Sequence, residues 1–305
     1  MSNSGTIKNV LIIGAGGNLG PSILTALLSE PKFVVTVLSR ESSTSTFPSA
    51  AQVIKIPSYD DKAALIKAFT GQDAVINVVA GSVSRAAQNR IADAAAEAGV
   101  KRYIPNEFGS ETRNPAAWAL LPIFEDKYLQ TKHAADLAEK HPGFTWTSVI
   151  TGGFFDWGLK VGFYRFDLKQ HTASIIDSGN AQATVTTLAR IGDSIVSILL
   201  HPAETANRYI YTQSFNYTQN ELLAALEKHT NAKWTVTHAN SDELIKSGKA
   251  ALAKGDFSGF QDIILAYNHG DEAHANHEKG VAESRAILGL PKQDLDTVLK
   301  EVLKA

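Results

Sequence analysis

The stretch that decides the fold is Asn9-Val-Leu-Ile-Ile-Gly14-Ala-Gly-Gly17-Asn-Leu-Gly20-Pro21. A short apolar run leads into four glycines. A segment with apolar residues at Ile23, Leu24, Leu27 and Leu28 follows, spaced as one face of a helix. A strand, a glycine turn and a helix in that order make a cradle for a pyrophosphate. Gly14 suits the tight turn, Gly17 lets the backbone approach the phosphates, and Gly20 lets the helix pack against the sheet. Unpaired N–H groups and the positive end of the helix dipole favour the anion. Pro21 is compatible, because its missing N–H has no partner in a first turn. The expected contacts are Gly14, Gly16, Gly17, Asn18, Leu19 and Gly20. No Gly-Lys-Ser/Thr follows, which argues against a P-loop nucleotidase.

Outward from this loop, apolar runs alternate with helical patterns. Strands are expected at 9–14, 33–38, 52–56, 73–79, 100–105 and 144–151, with helices at 21–29, 61–69, 84–98 and 124–139. Near-continuous apolar strands separated by helices predict a parallel sheet covered on both faces. Right-handed crossovers make it an α/β, doubly wound Rossmann sheet. Beyond Thr151 the alternation breaks down. A helix is expected at 189–200, a strand at 208–212, and a helix through His229 opened by the capping box Thr218-Gln-Asn-Glu221. A short strand at 234–238 precedes a mostly helical, polar end. The expected division is a dinucleotide-binding domain over 1–153, completed by the strand near 208–212. A smaller, mostly helical substrate region over 154–305 packs against it.

Bulk properties narrow the class. The chain has 305 residues, net charge −2, 44% hydrophobic residues and no cysteine. Disulfides, thiol nucleophiles and thiolate metal sites are excluded. The charge balance lacks the basic excess of nucleic-acid binders. The N-terminal stretch has no signal-peptide pattern and its apolar run is too short for a membrane span, so a cytoplasmic location is expected. No metal is expected: the histidine-rich stretch from His269 to Glu278, with His274 and His277 three apart, lacks a recognised zinc spacing and reads as a solvated helix or lid edge. There is no Gly-x-Ser-x-Gly elbow of a hydrolase.

The end of the second strand bears on which dinucleotide is held. Sites for NAD place an acid there for the ribose hydroxyls. Here Ser39 and Arg40 follow Leu38. A guanidinium pairs with a 2′-phosphate and stacks on adenine, so NADP(H) is expected. Lys55 is a second candidate for the phosphate, and Glu41 the dissenting residue.

The helix after the fifth strand carries Tyr128-Leu-Gln-Thr-Lys132. Residues four apart share a helix face, so phenol and ammonium would enter one cleft. The lysine would lower the phenol pKa, and the pair would manage a proton at a carbonyl oxygen as hydride arrives. Ligands of open α/β sheets bind beyond the carboxyl ends of the strands. That places Ala80, Gly81, Asn106, Phe108, Gly152, Gly153 and Phe154 near the nicotinamide. The cluster Phe154, Phe155, Trp157, Phe163 and Tyr164 would either wall an apolar pocket or form core.

The glycine pattern, Lys101-Arg-Tyr-Ile-Pro-Asn-Glu-Phe-Gly109, the lysine-bearing helix and Trp146-Thr-Ser-Val-Ile-Thr-Gly-Gly-Phe-Phe155 together resemble the NmrA-like, isoflavone-reductase-like group. These are atypical short-chain dehydrogenases/reductases. Phe155-Asp-Trp-Gly-Leu159 is similar to the group's fungal members. The resemblance implies an NADPH-dependent reductase acting on a small aromatic or secondary-metabolite substrate such as an enone, carbonyl or benzylic electrophile. It also implies a general acid/base lysine on this helix: Lys132 is the better match and Lys127 its rival, with Tyr128 catalytic or coincidental. Asn106 departs from the serine of plant reductases. A monomer or homodimer is expected. Two alternatives remain: an NADP(H)-sensing regulator without turnover, and an isomerase or dehydratase whose cofactor is not consumed.

Overall fold

The apolar runs of the first half pair into one seven-stranded sheet in the structure, a computed structural model that describes residues 5–79 and 83–304. In chain order the elements are β1 Asn9–Ile13, α1 Gly20–Ser29, β2 Val34–Arg40, β3 Gln52–Ile56, α2 Lys62–Phe69, β4 Ala74–Asn77, α3 Arg85–Glu97 and β5 Arg102–Ile104. There follow α4 Pro115–Leu120, α5 Pro122–Lys140 and β6 Thr145–Ile150. The second half contains β7 Gly153–Phe154, α6 Phe155–Lys160, β8 Phe166–Asp167, β9 Thr172–Ile176, β10 Ala183–Thr186, α7 Leu188–Leu200, β11 Arg208–Tyr211 and β12 Phe215–Tyr217. It closes with α8 Gln219–Thr230, β13 Thr235–Ala239, α9 Ser241–Ala253, α10 Gly259–His269, α11 Glu278–Leu288 and α12 Leu295–Val302.

The sheet order is β3-β2-β1-β4-β5-β6-β11, and every pair is parallel. Val10 to Ile13 are fully buried, as a strand covered on both faces requires. One face packs α1 and α7, through Ile23 and Leu27 on the first and Ile191, Ile195 and Ile198 on the second. The other face packs α2, α3 and α5 through Leu65, Phe69, Ile91, Ala95, Ala134 and Leu137. The fold is therefore the doubly wound Rossmann arrangement. Strand order reverses between β1 and β4, and a crevice opens there beyond the carboxyl ends.

The second region is not one continuous stretch. It has its own core of Phe155, Tyr164, Phe166, Tyr217, Leu222 and Leu265, beside the small sheets β12-β10-β7 and β13-β9-β8. Yet α7 and β11, both after residue 153, lie with the large sheet: Arg208 to Tyr211 pair with Thr147 to Ile150. A smaller cluster of Ala117, Leu121, Phe124, Ile263 and Tyr267 locks α4 and α5 to α10.

Of the aromatic cluster, Phe155 and Tyr164 take the core alternative: both are almost fully buried in the second region. The stretch read as a solvated helix or lid edge forms the end of α10, the link and the start of α11, and it is less solvated than expected, with His269 and His277 buried. Among the described residues no three His, Asp, Glu or Cys side chains gather as a metal site, and no helix is long and apolar enough to cross a membrane.

Candidate active site

The glycine loop closes on itself through Gly17 N donating to Gly14 O at 3.0 Å. Gly14 has φ +87°, and a Cβ there would lie 2.6 Å from Val78 O, so the backbone just after β4 leaves no room for a side chain. A Cβ on Gly20 would lie 2.5 Å from Gly14 O. Gly17 is different: a Cβ would meet only Gly14 O, at 3.4 Å, so the protein leaves its outer side open. Helix α1 begins after Leu19 with no side-chain cap, as α5, α6, α10 and α11 also do. Its first N–H groups are free of a side-chain partner, which suits an anion at the glycine loop.

A cleft of about 300 Å³ runs from Gly14, Gly16 and Gly17 past Ser39, Arg40, Ser43 and Ser45 to Tyr59, Val79 and Val83. Arg40 lies over the Tyr59 ring, 5.5 Å from its centre. Lys55 Nζ donates to Ser39 Oγ at 3.3 Å, Arg40 O at 3.3 Å and Ser43 O at 3.1 Å, bracing the turn beneath the guanidinium. Among the described residues no carboxylate lines the cleft, and the dissenting Glu41 is exposed outside it. A glycine cradle, an uncapped helix start and a cationic, hydroxyl-lined far end fit a dinucleotide with an extra phosphate on its adenosine. Tyr59, Ser43 and Ser45 were not anticipated, because their loops reach the cleft from outside the strand–helix pattern.

The other expected contacts separate. Ala80 and Gly81 lie outside the described residues. Asn106 joins the ends of two strands, its Nδ2 donating to Val79 O at 2.6 Å. Leu19 and Phe108 pack their side chains into the core of the large sheet. Phe108 holds φ 37°, unusual for a bulky residue, and its N–H donates to Val149 O at 3.0 Å. Gly152 has φ 61°. A Cβ there would strike Thr184, and one on Gly153 would strike the Tyr164 hydroxyl. Gly153 and Phe154 pair with Val185 and Thr186 of β10, apart from the residues lining the cleft.

The structure places the two candidate lysines on different faces of α5. Tyr128 and Lys132 do share a face of α5, but it is an outer face. Lys132 is exposed and its Nζ is bound by both oxygens of Asp136, at 2.9 and 2.8 Å. That carboxylate, one turn away, raises the lysine's pKa. Tyr128 stacks on Trp118 with ring centres 5.0 Å apart. Lys127 points the other way, toward the sheet. Its Nζ donates to the backbone oxygen of Glu107, the residue after Asn106, whose Nδ2 bonds Val79 of the cleft wall. Burial lowers its pKa, and the nearby Glu107 carboxyl opposes that.

Glu107 is wholly buried. Its carboxyl accepts from Thr112 Oγ1 and, at 3.1 Å, from Thr131 Oγ1, which lies 3.2 Å from Ser148 Oγ. Burial pushes its pKa up to about 7, against the pull of Lys127. Beyond it, Arg113 lies 4.2 Å from the Tyr209 ring centre and binds both carboxylate oxygens of Glu111. Glu111, Arg113 and Tyr211 border a second cavity of about 550 Å³ with Asn114, His274 and His277. The segment after β5 thus gathers, with α5 and β6, an ammonium, a buried carboxyl and the hydroxyls of Thr112, Thr131 and Ser148. This set can hold and deliver a proton.

Comparison with known proteins follows the same lines. The model of the NmrA-like family matches residues 6–254. The chain is 36% identical to an oxidoreductase, aprR, of Aspergillus flavus over 98% of its own length and 99% of the relative's. The solved isoflavone reductase structure superposes with a TM-score of 0.73 at 21% identity, covering 97% of this chain and 99% of that one. A leucoanthocyanidin reductase–NADPH complex from Vitis vinifera superposes with a TM-score of 0.70 at 19% identity, covering 88% of each chain.

Proposed function

We propose, from the premise that this chain belongs to the NmrA-like family, that it is an NADPH-dependent reductase of a small organic electrophile, with Lys127 as its proton donor. The observation that carries this reading is the Lys127 ammonium on the backbone oxygen of Glu107, the residue after Asn106, whose side chain in turn bonds the backbone of Val79 in the cleft wall. Relatives named oxidoreductases and an NADPH complex among the structural neighbours support it.

The cofactor, when bound, supplies a hydride. The chain's own residues bind, orient and protonate. The N–H groups at the start of α1 hold the pyrophosphate, and Arg40, with Ser39 and Ser43 over the Lys55 brace, holds the 2′-phosphate. Lys127 then gives a proton from Nζ to the substrate atom that gains charge, as a general acid in reach of the reacting centre. An aromatic enone, ketone or benzylic electrophile matches both the role of Lys127 and the family.

The test incubates the protein with NADPH and a panel of aromatic enones, quinones and ketones, following absorbance at the reduced-nicotinamide band and the products. Consumption matched by reduced product supports the reading. Tight NADPH binding with no consumption across the panel points to a sensor. Product without cofactor loss points to an isomerase or dehydratase.

A further inference from the structure

We propose that Glu107 is a positioning residue for Lys127, which it holds in place and keeps charged at the end of the cleft. This rests on the reading of Lys127 as proton donor. One contact and one shared helix face carry it. The backbone oxygen of Glu107 accepts from Lys127 Nζ, which fixes the lysine's direction. The side chain of the same residue is wholly buried and its carboxyl accepts from Thr131, one turn after Lys127 on the same face of α5.

The carboxyl is held by design of the helix face. Lys127 and Thr131 are four residues apart on α5 and so lie one above the other. Thr131 donates to one carboxyl oxygen at 3.1 Å and Thr112 to the other. Among the described residues the Glu107 carboxyl makes no ion pair within 4.0 Å. The charged and titratable groups around it are Lys127 on α5, Glu111 and Arg113 on the following loop, and Tyr209 on β11. Arg113 is taken by Glu111, which it grips at 2.9 and 2.7 Å. Lys127 is therefore the cation left to answer the Glu107 charge.

The consequence has a definite sign. Burial alone disfavours the ammonium, and would strip the proton that a general acid needs. When Glu107 ionises, its negative charge restores the proton affinity of Lys127. Glu107 touches neither cofactor nor substrate in this account. It acts through the lysine.

Competitive acetylation of the full chain across a pH series, read peptide by peptide by mass spectrometry, tests this without turnover. In Glu107→Gln the midpoint for Lys127 labelling should fall by about one to three pH units, the usual range for losing a neighbouring opposite charge. Lys132 should label as before, as an internal check on the fold. Glu107→Asp, which keeps the charge, should bring the midpoint back toward the parent. Thr131→Val, which removes one donor to the carboxylate, should shift it the same way as Glu107→Gln but less. The alkaline limb of kcat should move with the Lys127 midpoint. An unmoved Lys127 midpoint in folded Glu107→Gln or, should that variant not fold, in Thr131→Val overturns the proposal. A shifted midpoint in a protein whose turnover survives Lys127→Ala upholds the coupling and removes Lys127 as proton donor.

Discussion

Lys127 and Lys132 are five residues apart on one helix, which places them roughly 140° apart around its axis. One faces the sheet and the other the solvent. The buried stripe of α5 runs Phe124, Thr131, Ala134 and Leu137, and Lys127 lies on it, three residues after Phe124 and four before Thr131. That periodicity was present in the sequence. The Tyr128-x-x-x-Lys132 spacing concealed it, because the spacing is equally good on an outward face. Arg40 was legible for a simpler reason: the end of a second strand is a fixed place in this fold. Arg40→Ala should weaken NADPH binding by about 10- to 100-fold, the scale of one charge-assisted hydrogen bond, and NADH binding far less. Calorimetric titration with both nucleotides checks this, and equal losses would remove the phosphate assignment.

At the scale of elements, local signals were readable and distant pairings were not. Thr218 and Glu221 form the reciprocal capping box, with Thr218 N donating to Glu221 Oε2 at 2.7 Å and Glu221 N to Thr218 Oγ1 at 3.1 Å. Four adjacent residues decide it. Thr218→Ala should lower unfolding stability by about 1 kcal/mol and leave NADPH affinity unchanged, as denaturant melts and titration would report. The strands β7 to β10 escaped notice because they are two to five residues long and depend on partners far along the chain, as Gly153 does on Val185. The glycine turn lies between these cases. Its pattern is local, but the reason for Gly20 is the backbone of Gly14 and Ala15 pressed against it. Gly20→Ala should cost about 1–3 kcal/mol, the usual penalty for overpacking, and weaken NADPH as well, since the displaced turn is the phosphate cradle. A variant with parental stability and affinity would contradict this account of the turn.

For the whole molecule, the parallel sheet was legible from alternation alone, while the way the chain returns to it was only half so. The strand that became β11 was expected near residues 208–212. That α7 covers α1's side of the same sheet was not, because an amphipathic helix does not say which core it serves. Three buried ionisable groups bear on stability between pH 5 and pH 7. His269 and His277 are held neutral by burial, with pKa values lowered to about 4 from 6.5. The unfolded chain binds more protons between those values, so stability is lost as pH falls from 6.5 toward 4. Glu107 acts oppositely: its pKa, raised from 4.5 to about 7, removes stability as pH rises across that window. Two histidines outweigh one glutamate, so the urea midpoint should be lower at pH 5 than at pH 7; a higher one would speak against both histidines being buried neutral. The central claim is that the cleft presents its cofactor to a proton held by Lys127. Its most direct test is the rate of NADPH oxidation with a turned-over substrate in Lys127→Ala and Lys132→Ala side by side. The account predicts a fall of about 10²- to 10⁴-fold for Lys127→Ala, the range for a lost general acid, and little change for Lys132→Ala. The reverse order, or equal rates in the two variants, would contradict it.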